Sequence, residues 1–138
     1  MRATAGFDGK LLLSVTGILE AATGLGLIAA PATLVALLLG PAPVTPAGVT
    51  VSRVAGAAVL ALGVTCWLAR DDAANRAATG LVAAMLLYNI GVTVILVLAW
   101  TGPGLAGIAL WPVVLGHALL AAWCVACLLT RTVKQKRD

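Results

Sequence analysis

The sequence predicts an all-α integral membrane protein, a four-helix up-down-up-down bundle with a short interfacial or re-entrant helix between helices one and two. Two observations carry that expectation. Of 138 residues, 62% are hydrophobic and 10% charged, with a mean hydropathy of +1.08, whereas soluble domains carry about 25% charged residues. The apolar residues also gather in four runs of about twenty, the length of a helix that crosses hydrocarbon. Too few charges remain to cover a water-facing surface, so a soluble enzyme is excluded. Three cysteines, all inside apolar runs, likewise exclude a disulfide-stapled secreted domain.

The first span is expected over 10–30 (KLLLSVTGILEAATGLGLIAA), which at 1.5 Å per residue covers roughly 30 Å. It stops at Pro31. In the following PATLVALLLGPAPVTPAG, Pro31 suits a helix N1 position, while Pro41, Pro43 and Pro46 forbid continuation. Residues 32–39 are too few to cross and read as an interfacial or re-entrant turn of helix, with a kinked extension of the first span as the alternative. The other spans are expected over 48–69, 77–100 and 108–129. Their connections, RDDAANR and TGPGLAG, are short enough to set neighbouring helices antiparallel. None of the runs alternates in polarity, so barrel strands are excluded. The whole of 1–138 reads as one domain, with 130–138 as a basic tail.

Orientation follows from charge. Arg2, Lys10, Arg70, Arg76, Arg131, Lys134, Lys136 and Arg137 all fall on one side of a four-span arrangement, and the opposite loops carry none. The positive-inside rule then places both termini and the second connection in the cytoplasm. A cleaved signal peptide is not expected, because the first run is too long and carries Glu20. The net charge of +4 comes from short inter-span segments, not from a basic face with interleaved aromatics, so nucleic acid is not an expected partner. The basic tail can touch anionic lipid head groups, or serve as a topology anchor alone.

An ionisable group near mid-bilayer costs a few kcal/mol, so each one present marks a candidate site whose partner should be sought. Glu20, Arg53 and His117 are such groups, and with Asn89 they supply one polar residue per span. Helical rise puts all four in a layer roughly 7 to 15 Å below the outer surface. A buried Glu20–Arg53 ion pair is expected, the long arginine bridging a depth difference of about 7 Å. His117 and Asn89 would complete its hydrogen bonds, and Tyr88, Thr16 and Thr23 add hydroxyls at nearby levels. Thr16, Glu20 and Thr23 share one helix face. Two plainer alternatives stay open: an ion pair that does no more than set helix register, and an Arg53 that snorkels to the outer interface. His117 is a proton-transfer candidate and not a metal ligand, since no second histidine or carboxylate stands at ligand spacing on its helix.

Small residues at intervals of three, four or seven (Gly17, Ala21, Gly24; Ser52, Gly56; Gly80, Ala84) predict close helix packing. Such a bundle has a narrow interior. A wide aqueous channel is excluded, and a ligand would be a flat or thin apolar molecule entering sideways or from the outer leaflet. Cys124 and Cys127 form WCVAC and Cys66 lies at a similar depth, but thiolate chemistry is disfavoured in lipid, so redox or metal roles are not expected. Trp67, Trp100, Trp111 and Trp123 read as interface anchors.

In helix one only, ILEAATGLGL resembles the small multidrug resistance transporters, whose first helix carries a proton- and drug-binding glutamate. The chain departs from them in its charge-biased loops, its proline-rich outer segment and its intramembrane arginine. Across its whole length it is more similar to the DoxX-like small bacterial four-helix membrane proteins, through GILEAATGLGLIAAP on helix one, SRVAGAAVLALGV on helix two and polar-seeded helices three and four. That resemblance implies a bacterial inner-membrane bundle whose central acidic and basic residues bind a quinone-like or other lipophilic molecule. It does not establish an enzyme. The expectation is an inner-membrane protein that binds a lipophilic ligand, or partners another membrane protein or its own copy, around Glu20, Arg53, Asn89 and His117. The alternatives are a proton-coupled small-molecule transporter using Glu20 and a structural subunit of a membrane complex. The sequence specifies neither a cofactor nor a reaction.

Overall fold

The computed structural model describes residues 9–41, 45–73 and 75–135, with side chains up to Thr130. Arg2, Pro43, Lys136 and Arg137, used above to orient the chain or to end a helix, lie outside them. The described residues form five helices and no strand: α1 (Gly9–Ala29), α2 (Pro31–Leu39), α3 (Pro46–Ala69), α4 (Arg76–Thr101) and α5 (Leu110–Gln135). By length and composition α1, α3, α4 and the Leu110–Thr130 part of α5 are able to cross a membrane.

Local chemistry sets the helix ends. Pro31 brings no backbone N–H to the ladder of α1, and Ala30 leaves helical geometry at φ −136°, ψ 58°. The chain restarts at once with Pro31 in the first turn of α2, so the short segment is a separate helix and not a kinked extension. The Thr45 side chain accepts from Gly48 N at the start of α3, and Asn75 does the same for Ala78 N at the start of α4. α5 continues through Gln135, past the expected end of the span at 129. No glycine or proline follows Leu129 to stop it.

Glycine decides how α1 meets α3. A Cβ on Gly24 would lie 2.5 Å from Leu60 N and 2.6 Å from Gly56 O, and one on Gly63 would lie 2.5 Å from Ala21 N. The two backbones therefore touch, and the pairings show that the helices run antiparallel. Gly63 belongs to this seam although the spacing argument did not single it out. Gly80, which it did, has open space where its Cβ would be, and Ala84 is exposed. α4 and α5 form a second antiparallel pair, joined by Asn89 with His117 and by Trp100 with Trp111. The two pairs meet across a core that includes Leu12, Leu13, Cys66, Val82, Met85 and Cys124. The outward faces are apolar too: Leu68, Leu87 and Leu119 are each more than 70% exposed.

The two ends of the bundle differ in kind. At one, Lys10 Nζ pairs with Asp71 at 2.7 Å and Arg70 approaches the same carboxylate at 3.6 Å. At the other, the last carbonyls of α2 accept from the loop before α5, Leu37 O from Ala109 N at 2.9 Å and Leu38 O from Gly107 N at 3.1 Å. A helix C-terminus leaves such carbonyls without partners, and here the neighbouring loop supplies them. Gly107 sits so close to the Leu37 carbonyl that a Cβ there would overlap it. α2 and this loop together roof the bundle.

Candidate functional site

Under that roof lies a cavity of about 470 Å³, lined by all five helices. Its walls are apolar, supplied by residues such as Leu27, Leu34, Val92, Leu96 and Val113, and four side chains bring polarity to it: Glu20, Thr23, Tyr88 and His117. Size and lining match the usual small-molecule site, an apolar hollow of roughly 300–1,000 Å³ with a few convergent polar groups.

The polar groups are held by one another. Glu20, 3% exposed, sits on the flank of α1 beside the glycine seam, and its Oε2 accepts the Tyr88 hydroxyl at 3.0 Å. Its carboxylate makes no ion pair among the described residues. Tyr88 also meets His117 edge to face, with ring centroids 5.7 Å apart. Asn89, fully buried, lies behind His117: its Oδ1 stands 2.7 Å from His117 Nδ1, and its Nδ2 donates to Met85 O at 2.7 Å. Thus Glu20, Tyr88, Asn89 and His117, placed at one level by helical rise, do come together.

Arg53 does not join them, and the expected Glu20–Arg53 ion pair is corrected. Its Nε donates to Ile28 O at 3.2 Å, and its side chain is exposed. Antiparallel packing sets Arg53 beside Ile28, about 12 Å along α1 from Glu20 at 1.5 Å per residue. On the α3 wheel, Val59 and Arg53 fall on opposite flanks of Gly56, and Val59 is the one that lines the cavity. The guanidinium instead meets a carbonyl at the C-terminal end of α1, where Pro31 interrupts the ladder and the helix dipole favours a cation.

The two threonines part ways. Thr23 is exposed and lies on the cavity wall. Thr16, one turn from Glu20 on the other side, is buried, and its Oγ1 has no partner. Thr50, Thr65, Thr79, Thr93, Thr101 and Thr130 all donate to the carbonyl four residues back, so Thr16 departs from the habit of this chain.

Cys66, Cys124 and Cys127 form no disulfide and are buried in the core between the helix pairs. Among the described residues no three histidine, cysteine or acidic side chains form a group able to hold a metal ion. Trp100 and Trp111 stack edge to face at the roofed end, and Arg70 lies over the Trp67 ring at the charged end. Trp123 corrects its reading as an end anchor: it packs half-buried against the core, its Nε1 has no partner, and α5 continues well past it. Comparisons with protein-family models, with curated proteins and with solved structures return no match.

Proposed function

We propose that the chain is a bacterial inner-membrane protein that crosses the bilayer four times, up-down-up-down with both termini cytoplasmic, and binds a lipophilic small molecule in the cavity beneath α2. Four apolar helices with leucine-rich outward faces support insertion. The separation of the Lys10–Arg70–Asp71 cluster from the uncharged α2 roof supports the orientation. In this frame the cavity lies in the outer half of the bilayer, open to a ligand dissolved in lipid. The resemblance of helix one to DoxX-like proteins runs through Glu20, the acidic group at the cavity wall. Arg53 belongs to the fold and not to the site.

One observation carries the reading: a buried carboxylate, bonded to a tyrosine and without a cation among the described residues, faces an apolar hollow of small-molecule size. Intramembrane carboxylates are functional sites by default. The test is native mass spectrometry with lipid analysis on protein purified in mild detergent. Gly116 lines the cavity and has open space at its Cβ position, so Gly116→Phe fills the site without forcing the helices apart. The native protein should retain a lipophilic molecule that Gly116→Phe loses. Identical retained molecules in both proteins would remove the cavity as a binding site and favour a structural subunit.

A further inference from the structure

Resting on that reading, the hydrogen-bond inventory at the cavity narrows the chemistry of the occupant. Asn89 Nδ2 donates to Met85 O, which turns Oδ1 toward His117. The opposite amide orientation would set two carbonyl oxygens against each other. An amide oxygen only accepts, so the proton of this contact belongs to His117 Nδ1, and a neutral ring then carries a bare lone pair at Nε2. Tyr88 spends its one donor on Glu20 Oε2, and Glu20 Oε1 is left over. Thr23, at the wall, takes either role.

We infer that the cavity selects a lipophilic molecule with a hydroxyl head, such as a phenol or other apolar alcohol, because Asn89 presets His117 Nε2 as an acceptor in a cavity that Glu20 also lines. A hydroxyl both donates and accepts. It donates its one proton to Nε2 and accepts from Glu20 Oε1 as an acid, whereas an ether or carbonyl oxygen only accepts and strands the imidazole lone pair. Sites built to bond a hydroxyl reject analogues that lack one, since a buried polar atom is then left unpaired. Asn89 acts here as a positioning residue, through His117.

Binding is measured on the full chain in lipid nanodiscs with three probes that share a ring and tail: para-octylphenol, its methyl ether and para-octylbenzaldehyde. The phenol should bind about tenfold or more tighter than either analogue. His117 is the one histidine in the sequence, so nitrogen NMR on histidine-labelled protein reads its tautomer directly and should show the proton on Nδ1. Equal affinities for the three probes, or a proton on Nε2 in the unliganded protein, would overturn the inference and leave the cavity as a less selective lipophilic site. If none of the three binds, the ligand-binding reading fails and takes this inference with it.

Discussion

Tyr88 of α4 donates its hydroxyl to Glu20 of α1 at 3.0 Å across 68 positions of sequence, and this bond fastens the helix pair α1–α3 to the pair α4–α5 at the wall of the cavity. Its strength is measurable. Interhelical hydrogen bonds in membranes average about 0.6 kcal/mol, with values near 1.7 at the top. A double-mutant cycle of Tyr88→Phe and Glu20→Leu, read by thermal unfolding in detergent, should return a coupling of about 0.5–1.5 kcal/mol. A coupling of zero would mean that the two side chains do not meet.

Gly24 and Gly63 should be the least replaceable positions of the seam between α1 and α3. An added methyl at either would sit within 3.0 Å of the facing backbone, which cannot swing aside as a side chain can. Gly24→Ala or Gly63→Ala is expected to cost about 1–3 kcal/mol through forced separation of α1 and α3. Gly80→Ala and Gly91→Ala, where the space is open, should be neutral or stabilising by up to ~1 kcal/mol. Similar losses at all four positions would show that helix propensity, not close packing, is what glycine controls.

Arg53 and Glu20 should behave as strangers. Since Arg53 meets Ile28 O and not the carboxylate, Arg53→Gln and Glu20→Gln are expected to add to within about 0.5 kcal/mol in the double variant. An ion pair predicts instead that the second substitution restores part of what the first removed. Arg53→Gln alone should cost under ~1 kcal/mol, because an exposed contact contributes little.

Acid should loosen the charged end. The Lys10 hydrogen bond foremost, helped by the charges of Lys10 and Arg70, holds the Asp71 carboxyl below its ordinary value of 3.8. A carboxyl that binds its proton less readily when folded contributes stability above that ordinary value and loses it as pH falls through the depressed folded one. Melting temperature should therefore drop on acidification below about pH 4, and Asp71→Asn should flatten the drop. High salt should flatten it too, as the pair is exposed. An unchanged acid profile in Asp71→Asn would assign the sensitivity elsewhere.

Thr16→Val should be neutral or stabilising. The hydroxyl is buried without a partner, and valine keeps the shape while removing the unpaired oxygen. A loss of about 1 kcal/mol or more in unfolding experiments would instead reveal an ordered water bridging Thr16 to a neighbour.

The helices were legible because each is written in a single run. About twenty apolar residues, Pro31 and Pro46 as interruptions, and polar linkers between the last three spans define the elements without reference to any other part of the chain. The meeting of Glu20, Tyr88, Asn89 and His117 was also within reach, since helical rise alone puts them at one depth. Rise does not say which flank a side chain takes, and there the Arg53 expectation failed: depth admitted a pairing with Glu20, while rotation about α3 sent the guanidinium to the other side of the glycine seam. Gly63 and Gly80 make the same point. Spacing singled out Gly80 and passed over Gly63, yet only Gly63 has a backbone opposite it.

From its residues alone the described part of this chain is committed to five helices, four of them able to cross a membrane, because backbone hydrogen bonding and hydrophobic length are local properties that each segment satisfies by itself. The cavity and its chemistry were decided later, by how the helices rotate and pair. α2 folds back over the bundle because the loop before α5 satisfies its last carbonyls, and His117 turns one nitrogen to Asn89 because α4 and α5 pack antiparallel at that register. Such contacts join segments far apart in the chain, and no single stretch encodes them.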